Sequence, residues 1–120
     1  MGYTHYWRHK GFTTEQWLKL VEFARLEIQN TKVPIVNGSG QSGTMPKLDA
    51  FHIQFNGEED DSHETFHLTK AAQDFEFCKT AQKPYDEVVV SIMREALRLN
   101  PNFKPSSDGG WAVFGTEDCG

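Results

Sequence analysis

The segment His63-Glu64-Thr65-Phe66-His67 reads H-E-x-x-H. On a helix, that spacing lets two histidines hold a zinc ion while the glutamate activates its water. Here Phe66 and Leu68 alternate with Thr65, His67 and Thr69, which is the period of a strand. In a strand, His63 and His67 share a face but stand ~13 Å apart at ~3.3 Å per residue, too far for one metal. No third ligand stands out downstream, so no metal and no cofactor is expected. His63 and Glu64 remain available as an acid and base pair.

A second group joins a strand to a helix. The run Phe77-Cys78-Lys79-Thr80-Ala81-Gln82-Lys83-Pro84-Tyr85-Asp86 ends at a helix N-terminus, whose free N–H groups suit a phosphate or a carboxylate. Lys79 and Lys83 add positive charge, and Tyr85 offers a ring to a base. Asp86 either accepts from a ribose hydroxyl or caps the helix. The same residues also make an ordinary connection. At the start of the chain, Tyr3, His5, Tyr6 and Trp7 set rings beside polar tips, a wall for a flat ligand, and Trp111 adds one more ring. Core packing competes for Tyr3 and Trp7. Cys78 acts as a nucleophile only with a base beside it and a lowered pKa, and a buried inert thiol is the expectation.

Two further stretches are read mainly as loops. Asn37 to Thr44 holds three glycines in eight residues and fits neither the Walker nor the dinucleotide pattern. A surface loop and a phosphate cradle are its two readings. Glu58, Glu59, Asp60 and Asp61 make an acidic hairpin loop, solvated or holding a divalent cation.

The elements that must carry these residues follow from periodicity. Gly2 to His9 suits a strand with Tyr3, His5 and Trp7 on one face and Thr4, Tyr6 and Arg8 on the other. Thr13 and Gln16 form a capping box, and Trp17, Leu20, Val21, Ala24 and Ile28 make a helical stripe ending near Asn30. Ala50 to Phe55 alternates as a strand, Phe66 and Leu68 mark its antiparallel partner, and Phe75 to Cys78 is a third. Pro84 opens the second helix, whose stripe is Val88, Val89, Ile92, Met93, Ala96 and Leu99 before Asn100-Pro101 stops it. The tail, about residues 100–120, reads as turns from Pro105 to Gly110 and then an edge strand from Trp111 to Phe114. The expected fold is one α+β domain over residues 1–120, with two helices packed on one face of a small antiparallel sheet.

Composition narrows the partners. The 120 residues carry 12 Lys and Arg against 17 Asp and Glu, a net charge of −5. That balance argues against duplex nucleic acid, which needs a broad basic face, but not against a small anion held by two or three local cations. No apolar run reaches the ~20 residues of a membrane span, and the N-terminus lacks an apolar signal region. Two cysteines make no disulfide framework. The expected setting is the cytoplasm, with thiols reduced.

Met1-Gly2-Tyr3-Thr4-His5-Tyr6-Trp7, Phe55-Asn56-Gly57, His63-Glu64-Thr65-Phe66, Phe77-Cys78-Lys79-Thr80-Ala81, Lys83-Pro84-Tyr85-Asp86 and Ser107-Asp108-Gly109 together resemble a family of small bacterial and phage proteins. That resemblance spans nearly the whole chain. By analogy of setting it implies a phage anti-defence protein in a bacterial host cell that sequesters a nucleotide-derived signal without converting it. Tyr3, Tyr6, Trp7, Tyr85 or Trp111 would stack the base, and Lys79 and Lys83 would hold the phosphate. His5, His63, Glu64 and Asp86 would touch ribose or base. A site shared between subunits of a homo-oligomer suits a domain this small. Two alternatives stand beside it. One is a small hydrolase acting on a nucleotide through His63 and Glu64. The other is a protein–protein inhibitor module whose aromatic surface docks a host protein.

Overall fold

The computed structural model describes residues 3–108. The fold is α+β, as the periodicity requires. In chain order it runs β1 (Thr4–His9), α1 (Thr14–Asn30), β2 (Ile35–Val36), β3 (Lys47–Leu48), β4 (His52–Gly57), β5 (Phe66–Thr69), β6 (Gln73–Lys79), α2 (Asp86–Leu99) and β7 (Lys104–Ser107).

The strands form two sheets rather than the one expected. β1 lies in the middle of the first, in the order β6-β1-β7, with both pairings antiparallel. The second is built on β4, which pairs β2, β3 and β5, again antiparallel. The inward faces of both sheets share one core with the apolar stripes of the helices. Trp7, Phe55, Phe66 and Cys78 come from the sheets. Trp17, Leu20 and Ala24 come from α1, and Val89, Ile92 and Met93 from α2. Burying this many large apolar side chains is the main term that holds a chain of this length folded.

Local chemistry explains most boundaries. Thr13 and Gln16 make the capping box in full, each side chain meeting the other residue's amide, at 3.1 and 2.9 Å. α2 starts at Asp86, two residues after Pro84, because residues 83–85 form a turn in which the Asp86 amide donates to the Lys83 carbonyl at 2.8 Å. Phe51 lies just outside β4 and is exposed, whereas Ile53 and Phe55 are fully buried as the alternation requires.

The segment from Lys104 to Ser107 corrects the expected turn. It is a strand that pairs His5 with Ser107 and Arg8 with Lys104. Pro105 is tolerated because β7 lies at the end of the β6-β1-β7 order, where an N–H can be spared. The strand expected over Trp111–Phe114 lies outside the described residues.

The glycine-rich and acidic stretches fold onto each other. The Asn56 side chain is buried at their junction. Its amide group donates to the carbonyls of Gly38 and His63, and its oxygen accepts from the amides of Gly57 and His63. The Glu59 amide donates to the Gly40 carbonyl at 2.7 Å, and the Ser42 amide donates to the Glu59 carboxylate at 2.7 Å. The loop thus spends that amide on the protein's own carboxylate, which is held below the usual carboxylate range as a result. Gly57 is required here, since a Cβ would stand 2.3 Å from the Asp61 carbonyl oxygen.

Candidate functional site

Two clusters of the candidate residues meet at β1, one beneath it and one above it. The lower cluster is polar and closed. His5 points inward and is fully buried. Its Nε2 lies 2.6 Å from Asp86 Oδ1 and its Nδ1 lies 2.8 Å from Ser107 Oγ. Thr80, also fully buried, donates its hydroxyl to the same Asp86 oxygen at 2.5 Å. Asp86 thereby ties β1, the β6–α2 connection and the start of α2 together, and His5 carries the link on to β7. Tyr3 stands edge-on to the His5 ring at 5.1 Å.

Beside this chain, the Tyr85 hydroxyl donates to the Glu64 carbonyl at 2.6 Å, and the Cys78 thiol lies 4.0 Å from the Tyr85 oxygen. Burial pushes the Cys78 thiol up to about 12 and raises the Tyr85 hydroxyl as well. Cys78 is a protonated core thiol with no activated-nucleophile character. Glu64 is held by the end of β6, where its carboxylate accepts from the Lys79 amide at 2.8 Å.

Several expected roles change here. Tyr85 and Trp7 are core side chains, so neither offers a ring face to a base; Trp7 donates its indole N–H to Gln73 at 3.0 Å. The phosphate cradle expected at α2 is closed, because the amides of Lys83, Asp86, Glu87 and Val88 already donate to backbone carbonyls. His63 is exposed and Glu64 is engaged by Lys79, so the two do not form an isolated acid–base pair. His67 faces His52 instead, ring nitrogen to ring nitrogen at 2.9 Å. Among the described residues, no group of three or more His, Cys, Asp or Glu is arranged for a metal ion. Trp111 lies outside the described residues.

The upper cluster is open. Register sets Tyr6 opposite Phe77 and opposite Ser106, and Arg8 opposite Lys104. Tyr6 stacks on Phe75 at 6.0 Å, and Phe75 meets Phe77 at 6.1 Å. Phe75 and Phe77 remain 61% and 48% exposed. Tyr6 also donates its hydroxyl to Asp108 at 3.3 Å, which fixes the ring at one edge of the sheet.

Two adjoining clefts open beside these rings. One, of about 270 Å³, is lined by Tyr6, Arg8, Phe75, Lys104 and Ser106 among others. The other, of about 360 Å³, is lined by Arg8, His9, Lys10, Asp74, Asn102 and Lys104 among others. Arg8 and Lys104 belong to both. Among the described residues, Arg8, Lys10 and Lys104 make no ion pair, and the second cleft sets these three cations beside the carboxylate of Asp74, while Asp108 stands at the Tyr6 hydroxyl. His9 adds no charge at neutral pH, because burial lowers its pKa against the opposing effect of its bond to Gln73.

Of the sequence candidates, Tyr6 and Lys79 therefore lie on the open face, and Tyr3, His5, Glu64, Tyr85 and Asp86 gather at the closed end. Residue type and spacing give no role to Arg8, Lys10, Phe75, Phe77, Lys104 or Ser107. Alternation already set Tyr6 and Arg8 on one face, and that was the signal for the first of them.

The chain matches no known family, no curated protein and no solved structure.

Proposed function

We propose that this protein binds a nucleotide-like ligand, planar at one end and anionic at the other, on the open face of the β6-β1-β7 sheet, and holds it without converting it. Supporting this is the juxtaposition of exposed rings with cations that form no ion pair among the described residues. Tyr6 and Phe75 adjoin Arg8 and Lys104, and Lys10 extends the positive wall. Rings supply stacking, which tolerates any base, and guanidinium and ammonium groups supply phosphate contacts. In this reading the phosphate role expected of Lys79, Lys83 and the α2 N-terminus is assigned to Arg8, Lys10 and Lys104.

The test is incubation with a panel of nucleotides, removal of excess, denaturation and mass analysis of what is released. Intact nucleotide at near-stoichiometric amount, lost in Phe75→Ala and in the double variant Arg8→Gln with Lys104→Gln, is the expected result. No bound nucleotide at all would defeat this reading.

A second reading, hydrolysis, is favoured by one observation. Ser107, His5 and Asp86 form a hydrogen-bonded hydroxyl–imidazole–carboxylate chain, the connectivity that activates a serine. Release of converted product by the native protein, lost in Ser107→Ala, would move this reading ahead of binding.

A further inference from the structure

The open face is longer than one nucleotide, and its cations stand at both ends. By register, Lys79 lies opposite Thr4 at one end of β1, and Lys104 lies opposite Arg8 at the other. Between them, on the same side of the sheet, stand Tyr6, Phe77 and Phe75. Four residue steps of strand lead from Thr4 to Arg8, about 13 Å at ~3.3 Å each. A single nucleotide joins one base to one phosphate group and reaches only one end. The face is also open rather than enclosed. A small-molecule site normally surrounds most of its ligand, whereas rings on an exposed sheet are the usual platform for a single strand.

We infer that the face takes two or three linked nucleotides, lying as a single strand along β6. This deepens the nucleotide-binding reading and rests on it. A strand extended to about twice the ~3.4 Å duplex spacing covers ~13 Å with two to three units. Its bases stack on the Tyr6, Phe75 and Phe77 rings. Its phosphates meet Arg8, Lys10 and Lys104 at one end and Lys79 at the other. The net charge of −5 supplies no long-range attraction, so binding depends on these local contacts and stays short. With about three phosphates neutralised, the slope of log affinity against log salt is roughly −2, a loss of about 16-fold between 50 and 200 mM salt.

The experiment is a length series on the full chain: adenosine monophosphate, then 5′-phosphorylated di-, tri- and hexaadenylate, each competing with a fluorescein-labelled hexaadenylate. Affinity is expected to rise at least tenfold from one nucleotide to three and to change little from three to six. Lys79→Gln should weaken the trimer several-fold. Equal affinity for one and three nucleotides would overturn the linked-strand inference and leave nucleotide binding standing. No binding by any member would overturn both. A chain that is dimeric by light scattering, and monomeric as Phe75→Ala, would assign the face to a second copy and overturn the inference as well.

Discussion

The two sides of β1 solve opposite problems with neighbouring residues. Inward, His5 and Trp7 are buried and their polar atoms are satisfied by Asp86, Ser107 and Gln73. Outward, Tyr6 and Arg8 stand beside exposed phenylalanines and Lys104. The inward side looks more like chemistry, because histidine, aspartate and serine are lined up at short distances. Those distances are also what a fold needs to bury polar groups without penalty. The outward side carries unmet valences: rings with open area and cations that form no ion pair among the described residues. Completed interactions hold a structure together, while incomplete ones recruit a ligand.

Substituting one residue on each side separates the two roles. Asp86→Ala removes the acceptor of both His5 and Thr80, two fully buried groups. Leaving a buried polar group unsatisfied costs about 1–3 kcal/mol, so a loss of about 3 kcal/mol is expected in urea unfolding. Unchanged stability would show that the lower cluster is not structural, and would return Asp86 to the list of ligand contacts. Phe75→Ala should do the reverse. Its ring is mostly exposed, so stability should move by no more than about 0.5 kcal/mol. Nucleotide affinity should fall about tenfold or more, since base stacking contributes about 1–3 kcal/mol. A destabilised Phe75→Ala with unaltered affinity would erase the distinction between the two faces.

The sequence reveals much of this arrangement and hides a definite part. The capping box, both helical stripes and the alternation of β1 are local, so periodicity exposes them. The lower cluster is half legible: His5, Asp86 and Tyr85 draw notice as chemical types, but their partners are remote, and Ser107 is 102 residues from His5. The upper cluster is hidden for two reasons. Phe75 and Phe77 read as core by type, yet they stand on the outward side of β6. Lys104 enters the site only because Lys104–Ser107 is a strand, and Pro105 disguises that strand as a turn. The β4–β5 pair of the second sheet is legible, but its extension is obscured because β2 and β3 have two residues each, too few for alternation to register.

The smallest effect extends the comparison to that second sheet. His67 on β5 meets His52 on β4 at 2.9 Å between ring nitrogens. Partial burial is the main cause that lowers the His67 pKa; the neighbouring charges of His52 and Lys47 add to it, and Glu76 and Asp49 partly offset it. The sign follows from linkage. The unfolded chain takes up this proton near the ordinary histidine value of about 6.5, and the folded chain resists it to lower pH. The folded state is therefore favoured fully above about 6.5 and loses that advantage as pH falls below it. His9, lowered by its own burial, acts in the same direction from the inward side of β1. Urea midpoints of the native chain should drop between pH 7.5 and 5.5. The drop should shrink in His67→Gln and shrink further when His9→Gln is added. If His67→Gln alone removed the whole drop, acid sensitivity would belong to the half-buried pair, and the buried side of β1 would be indifferent to pH.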